Sequence, residues 1–438
     1  MSCTLIHNAT IVNEGLAFVG SVFIHDEDIA LLIHGATEVN QTMKDVAAVF
    51  PSIGAESVTV VDGEGQHLLP GVIDEHVHFR EPGLTHKSTI ASESRKAVLG
   101  GVTSFMDMPN CIPQTTTVAL VEDKHRIAEG CSPANWSFYL GATSDNFSEI
   151  EHLEPSTNCG VKVFMGSSTG GMLLNDKEKL SFIFRNCPFP IALHCEDQDI
   201  IAANAARYKA EYGDDPDVRF HPLIRSEEAC YRSSACAVEL AEKTGANIHI
   251  LHISTARELS LFRQGPVEEK KITAEACIPH LLYTDADYAH YGTAIKCNPA
   301  IKTAADREAL REAIRCGLID TIGTDHAPHT PADKVGGALR AASGIASLPH
   351  SLTAMLNLSD EGAFALTDVV RTMCHNPALR YQIDHRGFIR QGWKADLVLV
   401  NHTTNGWQVA RTWVNGKQVC ADGVVDETAR GQRLTFNR

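Results

Sequence analysis

The chain has 438 residues, 44 % of them apolar and 21 % charged, and carries a formal charge of −16. That length exceeds one small domain and fits a barrel-sized core with an accessory domain, while the negative charge argues against nucleic acid or an anionic membrane as partner. There is no apolar run of about 18 residues to span a membrane. The first residues lack the layout of a secretory signal, and the 13 scattered cysteines form no CxxC pair, so a cytoplasmic enzyme with reduced thiols is expected.

From residue 4 to about residue 67 the pattern predicts short strands, with Ala17–Ile24 (AFVGSVFI) and Ser57–Val61 (SVTVV) apolar and partly β-branched. The middle of the chain alternates short apolar runs with helix-length stretches. Eight strands are predicted, at Gly71–Val77, Val102–Met108, Trp136–Ala142, Val161–Met165, Pro190–His194, Asn247–Ile253, Ile272–Cys277 and Asp320–Gly323. The clearest helix is Ser226–Lys243, stopped by Gly245. The gap between the seventh and eighth strands is long and is expected to carry extra structure. Near the end, Ala395–Val400 reads as a buried strand, and Thr412–Val414 and Lys417–Val419 flank Asn415-Gly416, a two-residue hairpin signal. Eight strands, each with a crossover, predict a (β/α)8 barrel over residues 68–387. The β-rich ends, 1–67 and 388–438, are expected to form a small β-sandwich domain.

Chemistry in such barrels gathers at the C-terminal strand ends. The polar residues there are His76 and His78, Asn110, Lys162, His194, His252 and Asp325. His76 and His78 are two apart, so both imidazoles can face the barrel mouth and bind one ion. Lys162 places an ammonium in a short apolar strand, which calls for a buried ion pair or for carboxylation to a carbamate that can bridge two metals. His249 lies an odd step from His252, so it is expected to face the other way, deeper, as a structural residue. Cys195 is expected on the opposite face from His194, with Glu196 beyond the strand end as support or packing. Asp325 can ligate a metal and move a proton, or cap a helix.

Four longer motifs, DEHVHFREPG (74–83), MPN (108–110), Asn298-Pro299 and GTDHAPH (323–329), resemble the amidohydrolase superfamily and, within it, the dihydroorotases. The similarity runs through nearly the whole chain. It implies two zinc ions, one on His76 and His78 with Asp325, the other on His194 and His252, bridged by Lys162 after carboxylation by CO2. It implies Asp325 as general acid/base, and Arg80, Asn110, Asn298, His329 and the backbone at Gly344 as substrate contacts. The implied reaction is reversible closure of N-carbamoyl-L-aspartate to L-dihydroorotate in pyrimidine biosynthesis, by a homodimer. Arg80 supports this choice on its own chemistry, since a guanidinium beside the metals can grip a carboxylate bidentately. Where many relatives carry Asn-Pro-Pro-Leu-Arg, this chain has Asn298-Pro-Ala-Ile-Lys302, which loses the forked guanidinium. The stretch Gly166–Gly171 (GSSTGG) is expected to be a loop able to close over substrate. The rival expectations are an allantoinase, a dihydropyrimidinase or a catalytically silent scaffold.

Overall fold

The computed structural model describes residues 3–166 and 172–438. Five strands come first: β1 (Cys3–Asn13), β2 (Leu16–His25), β3 (Asp28–His34), β4 (Val58–Asp62) and β5 (His67–Pro70). Eight follow in the centre: β6 (Val72–Val77), β7 (Val102–Asp107), β8 (Asn135–Gly141), β9 (Gly160–Phe164), β10 (Ile191–His194), β11 (Ile248–Ile250), β12 (Ile272–Cys277) and β13 (Thr321–Gly323). These pair in sequence order from β6 to β13, in parallel throughout. Closure comes just past β13, where the His78 amide donates to the His326 carbonyl at 2.8 Å. Strands covered on both faces need apolar side chains on both, which is why these runs are Val- and Ile-rich rather than alternating.

The predicted strands are present, Ile272–Cys277 with both ends as predicted and the others with ends shifted by at most three residues, most of all β11, which stops at Ile250 rather than Ile253. The predicted helix spans Glu227–Thr244; Ser226 accepts from the Ala229 amide at its start and Gly245 closes it in the left-handed conformation. The long seventh crossover contains several short helical turns and the helix Ala304–Arg315.

The last strands, β14 (Leu397–Thr403), β15 (Gly406–Val414), β16 (Lys417–Ala421) and β17 (Val424–Val425), join the first five in one sheet. The seam is β5 against β14, antiparallel, with Leu68 opposite Leu399. β1 carries β4 beside its first half and β5 beside its second, so the sheet branches there around Ile11, Leu68, Leu397, Leu399 and Trp413. Asn415 and Gly416 both have positive φ, as a tight hairpin turn between β15 and β16 requires. The helix Val39–Val49, between β3 and β4, was not anticipated, and the residue before it, Glu38, makes no capping side-chain bond to announce it. The final residues cross the barrel floor, where Arg438 donates to the carbonyls of Asn158, Cys159 and Tyr381. Among the described residues no helix is long and apolar enough to cross a membrane.

Candidate active site

The barrel mouth brings together His76, His78, Arg80, Lys162, His194, His252, Asn298, Asp325, Ser343 and Gly344 around one cleft. His76 Nε2 and His78 Nε2 lie 3.3 Å and 2.9 Å from the same oxygen of Asp325. Across the cleft, Nδ1 of His194 lies 2.9 Å from Nε2 of His252. Three of these residues leave the ordinary backbone regions: φ is +42° at His252, +48° at Asp325 and +68° at Arg80. Such conformations cost about 1 kcal/mol or more each for residues with a Cβ, and they persist where the surroundings over-determine them.

Three imidazoles are backed by an oxygen. His76 Nδ1 meets Glu275 at 2.9 Å, His78 Nδ1 meets the side-chain amide oxygen of Asn110 at 2.7 Å, and His194 Nε2 stands 3.2 Å from Glu196. At His76 and His78 that acceptor fixes the ring proton on the rear nitrogen and turns the front lone pair into the cleft, whereas Nε2 of His194 lies near Glu196 without a hydrogen bond. Burial also favours neutral rings. It pushes His78 down to about 4 and His252 far below its usual range, and it lowers His194 against the pull of Glu196. Neutral imidazoles with inward lone pairs, a carboxylate and a second imidazole pair are a donor set suited to divalent first-row cations. His76, His78 and Asp325 are close enough to share one ion.

Asp325 is mostly enclosed, which works against its charged form, but His76, His78 and Lys162 hold its carboxyl below the usual range. Lys162 is buried with its ammonium 4.7 Å over the Phe164 ring, and desolvation pulls it down to about 8 against the pull of Asp325 and Glu275. An amine that loses its proton this readily can react with CO2.

Beside this group lies a cationic corner. Arg80 is 4 % exposed, and its Nε donates to the Pro328 carbonyl at 3.2 Å. Its Nη2 stands 3.1 Å from Nε2 of His329. Asn298 accepts at 3.1 Å from His221 and lines the cleft. The Gly344 carbonyl accepts from Lys334 at 2.9 Å. Lys302 does not take a forked contact in the cleft; its ammonium donates to the Ala300 carbonyl at 2.9 Å. Of the stretch Gly166–Gly171, all but Gly166 lies outside the described residues.

One expectation changes, and one residue was not anticipated. His249 does not face away from the barrel: it lies inside, one layer below the mouth, bonded to Thr273 and 3.3 Å from Thr321. The period-two argument failed because β11 ends at Ile250 and His252 then takes the left-handed conformation. Glu275 was missed. It is a fully buried carboxylate within the apolar strand β12, and that rarity was the available signal. Cys195 packs outward next to Met165, and Glu196 pairs with both His194 and Arg225.

The sequence profile of the Amidohydrolase family matches residues 67–419. The chain is 33 % identical to the dihydroorotase of Halobacterium salinarum over 357 residues, covering 78 % of this chain and 80 % of that one. It is 30 % identical to the allantoinase of Bacillus velezensis over 361 residues, 81 % and 79 % of the two chains. Among solved structures it resembles the L-hydantoinase (dihydropyrimidinase) of Arthrobacter aurescens, with a TM-score of 0.90 and 25 % identity over 99 % of this chain and 100 % of that one.

Proposed function

The chain belongs to the amidohydrolase family, as a hydrolase of cyclic amides, and from that premise we propose that it is a dihydroorotase, closing N-carbamoyl-L-aspartate to L-dihydroorotate with loss of water, reversibly. The observation that carries this reading is the buried pair Arg80 and His329, 3.1 Å apart at the edge of the histidine cluster. A guanidinium 4 % exposed needs a counter-charge. The ring carboxylate of dihydroorotate supplies one; neutral hydantoin, dihydrouracil and allantoin do not. Asn110, Asn298 and the backbone at Gly344 are assigned as further substrate contacts.

In this reading two divalent cations, taken as zinc, would be held by His76, His78 and Asp325 and by His194 and His252, and Lys162, once carboxylated, would be a ligand to them. When bound, they supply Lewis acidity at the reacting carbonyl and make water easier to deprotonate. Forming the carbamate joins the Lys162 nitrogen to CO2 carbon and releases one proton, so it needs the neutral amine.

Asp325 moves the proton. Its side chain keeps 13 % exposure where His76 keeps 1 %, so a bound substrate can reach it. During closure it removes a proton from the carbamoyl nitrogen as that nitrogen attacks the side-chain carboxyl carbon; a C–O bond of that carboxyl group then breaks, and the departing oxygen takes the proton from Asp325 and leaves as water. In the reverse direction it takes a proton from the water whose oxygen adds to the ring carbonyl carbon, and gives it to the amide nitrogen as the ring C–N bond breaks. Arg80 and His329 fix the other carboxylate, which orients the nitrogen toward its target.

The deciding experiment is a substrate panel run before and after chelation, with metal content measured on the same sample. Turnover of carbamoyl aspartate and dihydroorotate, lost with the metal, is expected. Turnover of allantoin or dihydropyrimidines without dihydroorotate would replace the proposal, and a protein that purifies with no stoichiometric metal would point to the scaffold reading.

A further inference from the structure

Lys87 stands behind the anion corner, and the reading above gives it no task. Its Nζ lies 3.2 Å from Nδ1 of His329 and 3.5 Å from Asp333. On the far side of the same ring, Nε2 lies 3.0 Å from the Ser343 carbonyl oxygen and 3.1 Å from Nη2 of Arg80. The ring itself is nearly enclosed, with 2 % of the side chain exposed.

These neighbours discriminate between the forms of the imidazole. An ammonium and a guanidinium only donate, and a carbonyl only accepts. With the proton on Nδ1, that N–H meets the hydrogens of Lys87 and the Nε2 lone pair meets the Ser343 oxygen; only the Arg80 contact is satisfied. With the proton on Nε2, Nδ1 accepts from Lys87 and Nε2–H donates to Ser343. The Arg80 contact is then two donors side by side, not a hydrogen bond. The imidazolium clashes with both cations, and burial followed by the charges of Arg80 and Lys87 pushes His329 down to about 3.

We propose that Lys87 is a positioning residue: by donating to Nδ1 it holds His329 as the Nε2–H tautomer, so that a carboxylate that draws this N–H from the Ser343 carbonyl meets Arg80 Nη2 and His329 Nε2 as adjacent donors. The identity of that carboxylate rests on the dihydroorotase reading; the tautomer does not. Without Lys87 the balance reverses. A charge-assisted bond from Arg80 to the Nε2 lone pair outweighs a neutral one to Ser343, and Asp333, 3.8 Å from Nδ1, favours a proton there. The corner then loses the imidazole donor and one guanidinium donor together.

The test is a two-bond 1H–15N correlation spectrum of 15N-histidine-labelled enzyme, with His329→Gln assigning the ring. The expected result is a protonated Nε2 in the parent and a protonated Nδ1 in Lys87→Met. In parallel, Lys87→Met is expected to raise KM for dihydroorotate about tenfold or more, with kcat within about twofold. Its metal content should not change, and Lys87→Arg should restore both tautomer and KM. Loss of packing alone would move neither ring nitrogen. A parent His329 protonated on Nδ1, or a tautomer indifferent to Lys87→Met, overturns the proposal whatever the substrate, and the parent spectrum decides the first point even if the variant fails to fold. A tautomer switch in an enzyme inert toward dihydroorotate supports the role of Lys87 and rejects the dihydroorotase reading.

Discussion

Glu275 and His76, 199 residues apart in sequence, meet at 2.9 Å through one carboxylate oxygen and the rear nitrogen of the ring. The same oxygen accepts the backbone N–H of His252 at 2.9 Å. One buried carboxylate thus holds a residue from each half of the histidine cluster. The approach needs space: a side chain at Gly323 would put its Cβ 2.5 Å from the other Glu275 oxygen. Glu275→Gln removes the charge and keeps the shape. It is expected to weaken metal retention about 10- to 100-fold, as loss of a partner behind a ligand does. Zinc titration against a competing chelator reads this, and unchanged affinity would remove Glu275 from the centre.

Arg80→Ala should raise KM for dihydroorotate and carbamoyl aspartate at least about tenfold, since a hydrogen-bonded charge pair is lost. Zinc content should be unchanged, because Arg80 contacts Pro328 and His329 rather than any of the clustered imidazoles. Arg80→Lys should recover only part, because an ammonium lacks the fork. Wild-type kinetics in Arg80→Ala would take the carboxylate out of the recognition scheme.

Burial sets Lys162 to about 8, which predicts how metal-free protein regains activity. Only the neutral amine adds to CO2, and its share grows as pH rises toward and past that value. With zinc supplied and dissolved CO2 held constant, the reactivation rate should climb from pH 6.5 and level off above about pH 8.5. A lysine near its ordinary value of about 10.4 would still gain about tenfold per pH unit there. A rate that stays flat between pH 6.5 and 8.5 contradicts carboxylation as the limiting event.

Lys124 and Asp107 form an ion pair with at most 1 % exposure on either side chain. Asp107 also accepts from the Phe79 amide at 2.7 Å, so this pair steadies the chain just beyond His78. Lys124→Met leaves a buried carboxylate without its counter-charge and should cost about 3–5 kcal/mol of stability. Urea unfolding measures it, and adding Asp107→Leu should return part of the loss. A destabilisation below about 1 kcal/mol would mean that solvent reaches the carboxylate.

Local chemistry determined much of this protein. The eight apolar runs, the two-residue step from His76 to His78, and the polar residues ending each run could be read in chain order, because strand periodicity and residue type are properties of neighbours. Tertiary structure alone decided which nitrogen of each ring faces the cleft, where His249 points and what Lys87 touches. Those outcomes depend on partners that the linear order does not pair: Asp325 with His78, Glu275 with His76, Lys87 with His329 at a separation of 242 residues. A hydrogen-bond donor chooses its acceptor by distance and direction in space. The left-handed turn at His252 shows the limit most directly, since one backbone angle of +42° cancelled the alternation on which the placement of His249 relied.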